Sequence, residues 1–262
     1  MSHPRVPAER PNLVRAFTVW RRNALAWRKF AISSLLGNLI DPMIMLFGLG
    51  TGLGTLITNV EGKAYLVFLV PGMITFTTMN SASFEALYSA FARMQIQKTW
   101  EAILNTPLSL EDILLGELLW AASKSWMAGA AIVLVTTLAG YCSARMLWAL
   151  LPVIFLVGIT FAALGLIMTA LARTYDFFMY WFTLFITPMG LLSGVFFPLS
   201  TLPELIRTLA LALPLAQAIS LVRPLAEGHA PEHALASVLY LTILSAAAFT
   251  LALRLFRRRL LG

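Results

Sequence analysis

Four ionisable side chains, Asp41, Glu85, Glu117 and Lys124, stand inside or beside long apolar runs. A charge near the centre of a bilayer costs about 2.5–3.5 kcal/mol on insertion scales, so each of them needs a reason. Glu117 and Lys124 are seven apart, two turns along one helical face, which suits a pair in a bundle interior. Asp41 precedes Pro42, which removes a backbone donor and can bend a helix. A proton relay would need more such groups near the midplane. Other chemistry has less to stand on. Ser193 lies in GLLSG rather than in G-x-S-x-G. His229, Glu232 and His233 spell H-x-x-E-H, but Pro231 would break the helix that must align both imidazoles, so no metal site is expected. Cys142 is the only cysteine. The only Gly-Lys pair, Gly62-Lys63, lacks the rest of a phosphate-cradling loop. The chain is therefore expected to carry no cofactor, and any ATP chemistry must come from another polypeptide.

These residues sit in a chain built for lipid. Of its 262 residues 59% are apolar and only 12% charged, about half the usual charged share for a soluble domain. Mean hydropathy is +0.81. That balance excludes a disordered chain and leaves too little polar surface for a soluble one. The expected fold is all-α and polytopic. Six runs are long enough to cross a hydrocarbon core: 30–57, 65–91, 113–140, 147–171, 177–197 and 234–256. An even count puts both termini on one side. Fifteen Arg and Lys, Arg5 and Arg10 among them, then fall on that side, and four (Lys63, Arg145, Arg207 and Arg223) on the other. This asymmetry predicts cytosolic termini. The net charge of +7 lies at the chain ends and between apolar runs, so nucleic acid is not an expected partner. The first 29 residues hold seven Arg and Lys and no apolar core run, so a cleaved signal peptide is not expected.

Three further segments position the rest. In 12–29, Leu13, Phe17, Trp20, Ala24 and Trp27 recur at helical spacing, with Arg15, Arg22 and Lys29 opposite. This predicts an amphipathic helix in the headgroup plane. In the first inner connection, 93–104 reads as a short cytosolic helix, ended at Thr106-Pro107. Ser109 and Asp112 then read as a capping box that opens the next span. In 198–233, Pro198, Pro203, Pro214, Pro224 and Pro231 divide an apolar stretch into pieces too short to span, which suits re-entrant outer half-helices. Gly48, Gly50, Gly52 and Gly54 suit close helix approach or a loosened helix end.

The layout and its strings resemble the permease subunit of ABC-2 type exporters along essentially the whole chain. The strings are LLSGVFFPLSTLPE (Leu191 to Glu204), NTPLSLEDILLGE (Asn105 to Glu117), FLVPGM (Phe68 to Met73) and LFGLGTGLG. Within that family the chain is similar to the nodulation-protein-J branch, whose members export lipo-oligosaccharides. Asp41-Pro42 stands where that branch often carries Glu-Pro. The resemblance implies a single transmembrane domain in the bacterial inner membrane that moves an amphiphile outward. It implies a pair of permeases, two separate P-loop ATPase chains that bind the ATP and Mg, and contact with membrane lipids. Arg93, Gln97, Trp100, Glu101, Thr106 and Pro107 would form the surface coupled to the ATPase. Phe76, Trp181, Phe185, Ser193, Phe196 and Phe197 would line the path or its outer gate. The competing reading is an integral membrane enzyme acting on lipid-linked substrates. It needs a converging polar constellation that the sequence does not display.

Overall fold

The computed structural model describes residues 11–57 and 59–260. Arg5 and Arg10, counted above toward the orientation, lie outside these residues. The fold is all-helical, with no named strand among the described residues. Ten helical elements follow one another. They are α1 (Leu13–Arg28), α2 (Ala31–Gly52), α3 (Tyr65–Ile96), α4 (Thr99–Leu104), α5 (Leu110–Leu138), α6 (Leu147–Leu171), α7 (Phe177–Leu192), α8 (Glu204–Leu211), α9 (Pro214–Glu227) and α10 (Ala234–Leu260). Five of them, α2, α3, α5, α6 and α10, are long and apolar enough to cross a membrane, or six elements if the bent pair α8–α9 counts as one. Helices α3, α5 and α6 form the centre, α10 packs along α6, and α2 stands at the edge, burying only Pro42, Leu46 and Gly50.

Where the expected elements differ, the backbone gives the reason. The run 177–197 forms a helix of only 16 residues, α7, with a π-helical segment at Phe182–Ile186. It stops at Leu192 because the chain turns at Gly194, whose φ of +82° is a conformation glycine adopts at little cost. The helix α3 runs on to Ile96 through π-helical segments at Glu85–Ser89 and Ala92–Ile96. Arg93 therefore ends α3 rather than opening a separate helix. Lys98, at φ +50°, makes the turn, and α4 starts only at Thr99. The H-x-x-E-H residues are not helical together; they fall between α9, capped by Gly228, and the start of α10.

The apolar stripe of α1 stays at least partly exposed, and other residues of the helix pack on α5. Ala16, Val19 and Asn23 are the buried positions, while Leu13 and Phe17 are 70% and 55% exposed. The close fit comes from Gly116 of α5. A Cβ there would lie 2.6 Å from Val19 Cβ and 2.7 Å from the Ala16 carbonyl oxygen. Small residues on both sides let the backbones touch. Asp112 completes the dock. It forms the capping box with Ser109, accepts the Asn12 amide at 2.7 Å and lies 3.6 Å from Arg15. Of the glycines in the GLGTGLG run, Gly50 alone meets a neighbour in this chain, Leu66 at the start of α3.

Candidate functional site

At the end of the bundle that carries α4, a charge network ties four elements together. The π-helical turn of α3 swings Glu85 inward. Its carboxylate accepts from Lys124 Nζ (2.7 Å), Trp120 Nε1 (2.8 Å) and Ser89 Oγ (2.9 Å), and lies 3.0 Å from Arg93. Arg93 also grips both oxygens of Glu117 through its Nε at 3.0 Å. Glu117 accepts a further bond from Trp100 Nε1 of α4 at 3.1 Å. Lys124 thus pairs with Glu85 of the neighbouring helix and not with Glu117 on its own. Two carboxylates and two cations balance, which is the condition for burying such groups at all. Arg22 of α1 borders the network, bonded to Asn23 and Thr99 and not to either carboxylate. Burial draws the Arg22 pKa down, and the Glu117 carboxylate acts against that shift.

This network decides what α4 presents. Arg93 and Trp100 point into the bundle: the Arg93 side chain is 13% exposed, and Trp100 is buried, with its ring 5.2 Å from Phe256 of α10. They anchor the corner instead of forming its surface. Gln97, Glu101, Thr106 and Pro107 are exposed. Ile96 and Lys98, which the spacing did not single out, are exposed with them, Ile96 at 63%. An apolar residue at a solvated corner is the signal that would have marked it, but only the end of α3 reveals that the corner is there. Arg257 of α10 pairs with Glu111 at the start of α5, closing the same end.

A second constellation runs between α2, α3 and α7. A cavity of about 390 Å³ is lined by Asn38, Asp41, Thr77, Asn80, Ser81 and Phe84, among others. Asp41 is exposed into it and makes no ion pair among the described residues. A more apolar cavity of about 380 Å³ continues from it through Met45 and Phe76 toward Leu53, Tyr65 and Phe196. Phe76 and Phe196 meet edge to face at 6.1 Å, and the Tyr65 hydroxyl donates to the Phe196 carbonyl at 3.1 Å. Gly190 of α7 leaves room for the Phe76 ring, which a Cβ would meet at 2.4 Å. Trp181 is buried and stacks at 4.9 Å on Phe185, which is exposed on the flank of α7. These two do not line either cavity. Ser193 is fully buried behind the turn, and Phe197 is half-buried beside it. Replacing Phe196 by Ala, together with its half-buried neighbour Phe197, removes the ring that closes the apolar end of this cleft. Passage of any solute along this cleft is expected to change by at least about threefold with the fold intact, since the rings are only partly buried. Unchanged passage in membrane vesicles would show that these rings do not bound the cleft.

Comparison with known proteins places the chain in a family. The ABC-2 type transporter family matches residues 15–225. Nodulation protein J of Bradyrhizobium diazoefficiens is 48% identical over 93% of each chain. Nodulation protein J of Azorhizobium caulinodans is 35% identical over 82% of this chain and 84% of that one. The inner membrane transport permease YadH of Escherichia coli is 23% identical over 78% and 79%. The chain is a membrane transport permease and belongs to the ABC-2 type transporter family.

Proposed function

We propose that the chain is the membrane subunit of an ATP-driven exporter, working as a pair with two separate ATPase chains. It moves an amphiphile with a sugar-bearing or otherwise polar head outward across the inner membrane. Both termini lie in the cytosol, α1 lies in the headgroup plane, α7 is the fifth membrane element, and α8–α9 form re-entrant outer half-helices. The names of the relatives support lipo-oligosaccharide export as the first activity to assay.

One observation carries the reading: the corner Ile96–Leu104 is exposed at its tip and clamped at its root. Trp100, Arg93 and Glu117 lock α4 to both α3 and α5, so a push on the tip moves two central helices together. A subunit that changes shape with ATP would act on this corner, through its different affinity for the two permease states. The cleft from Asn38 and Asp41 to Phe196 supplies a polar stretch and an apolar stretch in series, as an amphiphile needs. An open, apolar groove of about 820 Å³ beside α1, lined by Trp20, Trp27, Trp120 and Trp126, suits lipid chains.

The test is purification of the tagged chain from its native membranes in mild detergent. A P-loop ATPase in about equal amount supports the reading, and a chain recovered alone, where a known ABC complex survives, refutes it. Ile96→Asp refines the test. A surface change of this kind costs the fold no more than about 0.5 kcal/mol, whereas loss of an apolar contact anchor costs an interface about 2 kcal/mol or more. Recovery of the ATPase and ATP-dependent transport are both expected to fall by about tenfold or more, with unchanged thermal stability.

A further inference from the structure

At the end of the bundle away from α4, a cavity of about 350 Å³ lies under α8 and α9. Two donor atoms at its floor, Arg223 Nε and Ser193 Oγ, have no hydrogen-bond partner among the described residues. Arg223 of α9 is largely buried, with its guanidinium 3.8 Å above the Phe68 ring and its Nη2 donating to the Gly194 carbonyl at 2.7 Å. Its Nε has no partner, and neither has the hydroxyl of Ser193, which is fully buried. A buried cation is costly unless paired. Glu227, the one carboxylate of α9 at this end, is taken by Lys63 at 2.6 Å. Glu61 lines the cavity but forms no ion pair with Arg223 within 4.0 Å. Arg207 of α8 stands at the rim, exposed and without an ion pair among the described residues. Glu61 and Glu227 both act on Arg223 through space, and with Arg207 and Lys63 the five groups at this end carry one positive charge in excess.

We propose that this cavity binds a single oxyanion, a phosphate, sulfate or carboxylate group, carried by an amphiphile at the outer face. The acceptor oxygens would satisfy Arg223 Nε and Ser193 Oγ together, and Arg207 would close over the bound group. Guanidinium groups suit such oxygens because their planar donors reach two at once. Gly194 is what lets the floor form, since its positive φ accompanies the turn that leaves its carbonyl to Arg223 and Ser193 beneath it. Calling the amphiphile cargo rests on the export reading. The binding itself does not, and it is measured without an ATPase, so the two can fail separately.

The experiment places the full chain in nanodiscs of phosphatidylcholine, with Thr201→Cys carrying an environment-sensitive fluorophore. Thr201 is exposed beside the cavity, and the native Cys142 is buried. Decyl phosphate, dioctanoyl phosphatidylglycerol and inorganic phosphate are titrated separately, with decyl maltoside as the uncharged control. A saturable response to a phosphate-bearing probe, absent with decyl maltoside, is expected. Arg207→Gln is expected to weaken it about tenfold, the usual effect of losing one charge-assisted bond. Arg207 supports no other part of the fold, so this variant stays informative even if Arg223→Gln does not fold. Tighter response to decyl phosphate supports the site and assigns the oxyanion to a single-chain amphiphile. Tighter response to phosphatidylglycerol supports the site and assigns it to the lipid leaflet. No saturable response to any probe, an equal response to decyl maltoside, or an unchanged midpoint in Arg207→Gln overturns the proposal.

Discussion

Glu85→Ala is expected to cost about 3–5 kcal/mol of folding stability and to abolish transport, because it leaves a buried charge without its partner. The carboxylate serves four donors at once: Lys124, Trp120, Ser89 and Arg93. Its removal strands Lys124 entirely and leaves Trp120 with an unpaired N–H. Arg93 keeps Glu117 and is affected less. The network then carries one excess positive charge among apolar helices. Adding Lys124→Met restores neutrality and fills the space with a flexible apolar chain, so the double variant should recover more than half of the lost stability. Reversible unfolding in lipid nanodiscs measures both. A loss below about 1 kcal/mol in Glu85→Ala, or no recovery with Lys124→Met, would show that charge balance does not hold this end together.

Gly72→Val is expected to disable the opposite end. A Cβ at Gly72 would fall 2.7 Å from the Val195 carbonyl oxygen and 2.9 Å from its Cα. Both are backbone atoms, so no side-chain rotation relieves the contact. Val195 is itself fully buried, and the turn that it follows fixes Ser193 and Gly194. The chain after α7 must move outward as a piece, at the usual overpacking cost of about 1–3 kcal/mol or more. Transport should fall by at least about tenfold while the charge network, on the far side of the molecule, stays intact. Cysteine labelling at Val195 and at Ser193, both inaccessible in the parent, should rise in this variant. Parent-like labelling and transport would mean that α3 yields instead.

Much of this architecture is readable in the residues, and the failures share one cause. Hydropathy marks α2, α3, α5, α6 and α10, because lipid-facing sequence is apolar whatever its neighbours are. Ser109 and Asp112 mark the start of α5 because a capping box is local. Contacts between elements are not local. Lys124 looks matched to Glu117 on spacing, yet Glu85 reaches it only because α3 is wound into a π turn there. Arg93 and Trp100 look like an exposed surface because they flank an inner connection. They are turned inward because Glu117 waits on the next helix with two free oxygens. On α1 the apolar stripe marks an interfacial helix, but the residues that pack on α5, Ala16 and Val19, are set by Gly116, which no local spacing reveals.

The short reach of α7 has a consequence for the bilayer itself. Sixteen residues rise about 24 Å, whereas the hydrocarbon layer is about 30 Å thick. Such hydrophobic mismatch is normally relieved by pulling the leaflets together or by covering the deficit with protein. Here the irregular backbone of Ser193, Gly194 and Val195 that follows α7 is shielded by protein, a setting in which unwound chain is tolerated at membrane depth. On the proposed reading of α7 as the fifth membrane element, its helical wall falls about 6 Å short of the hydrocarbon layer, and protein rather than lipid covers the deficit. An acyl chain climbing past α7 would then leave helix for shielded loop before it leaves the oil, on the flank that also lines the cleft.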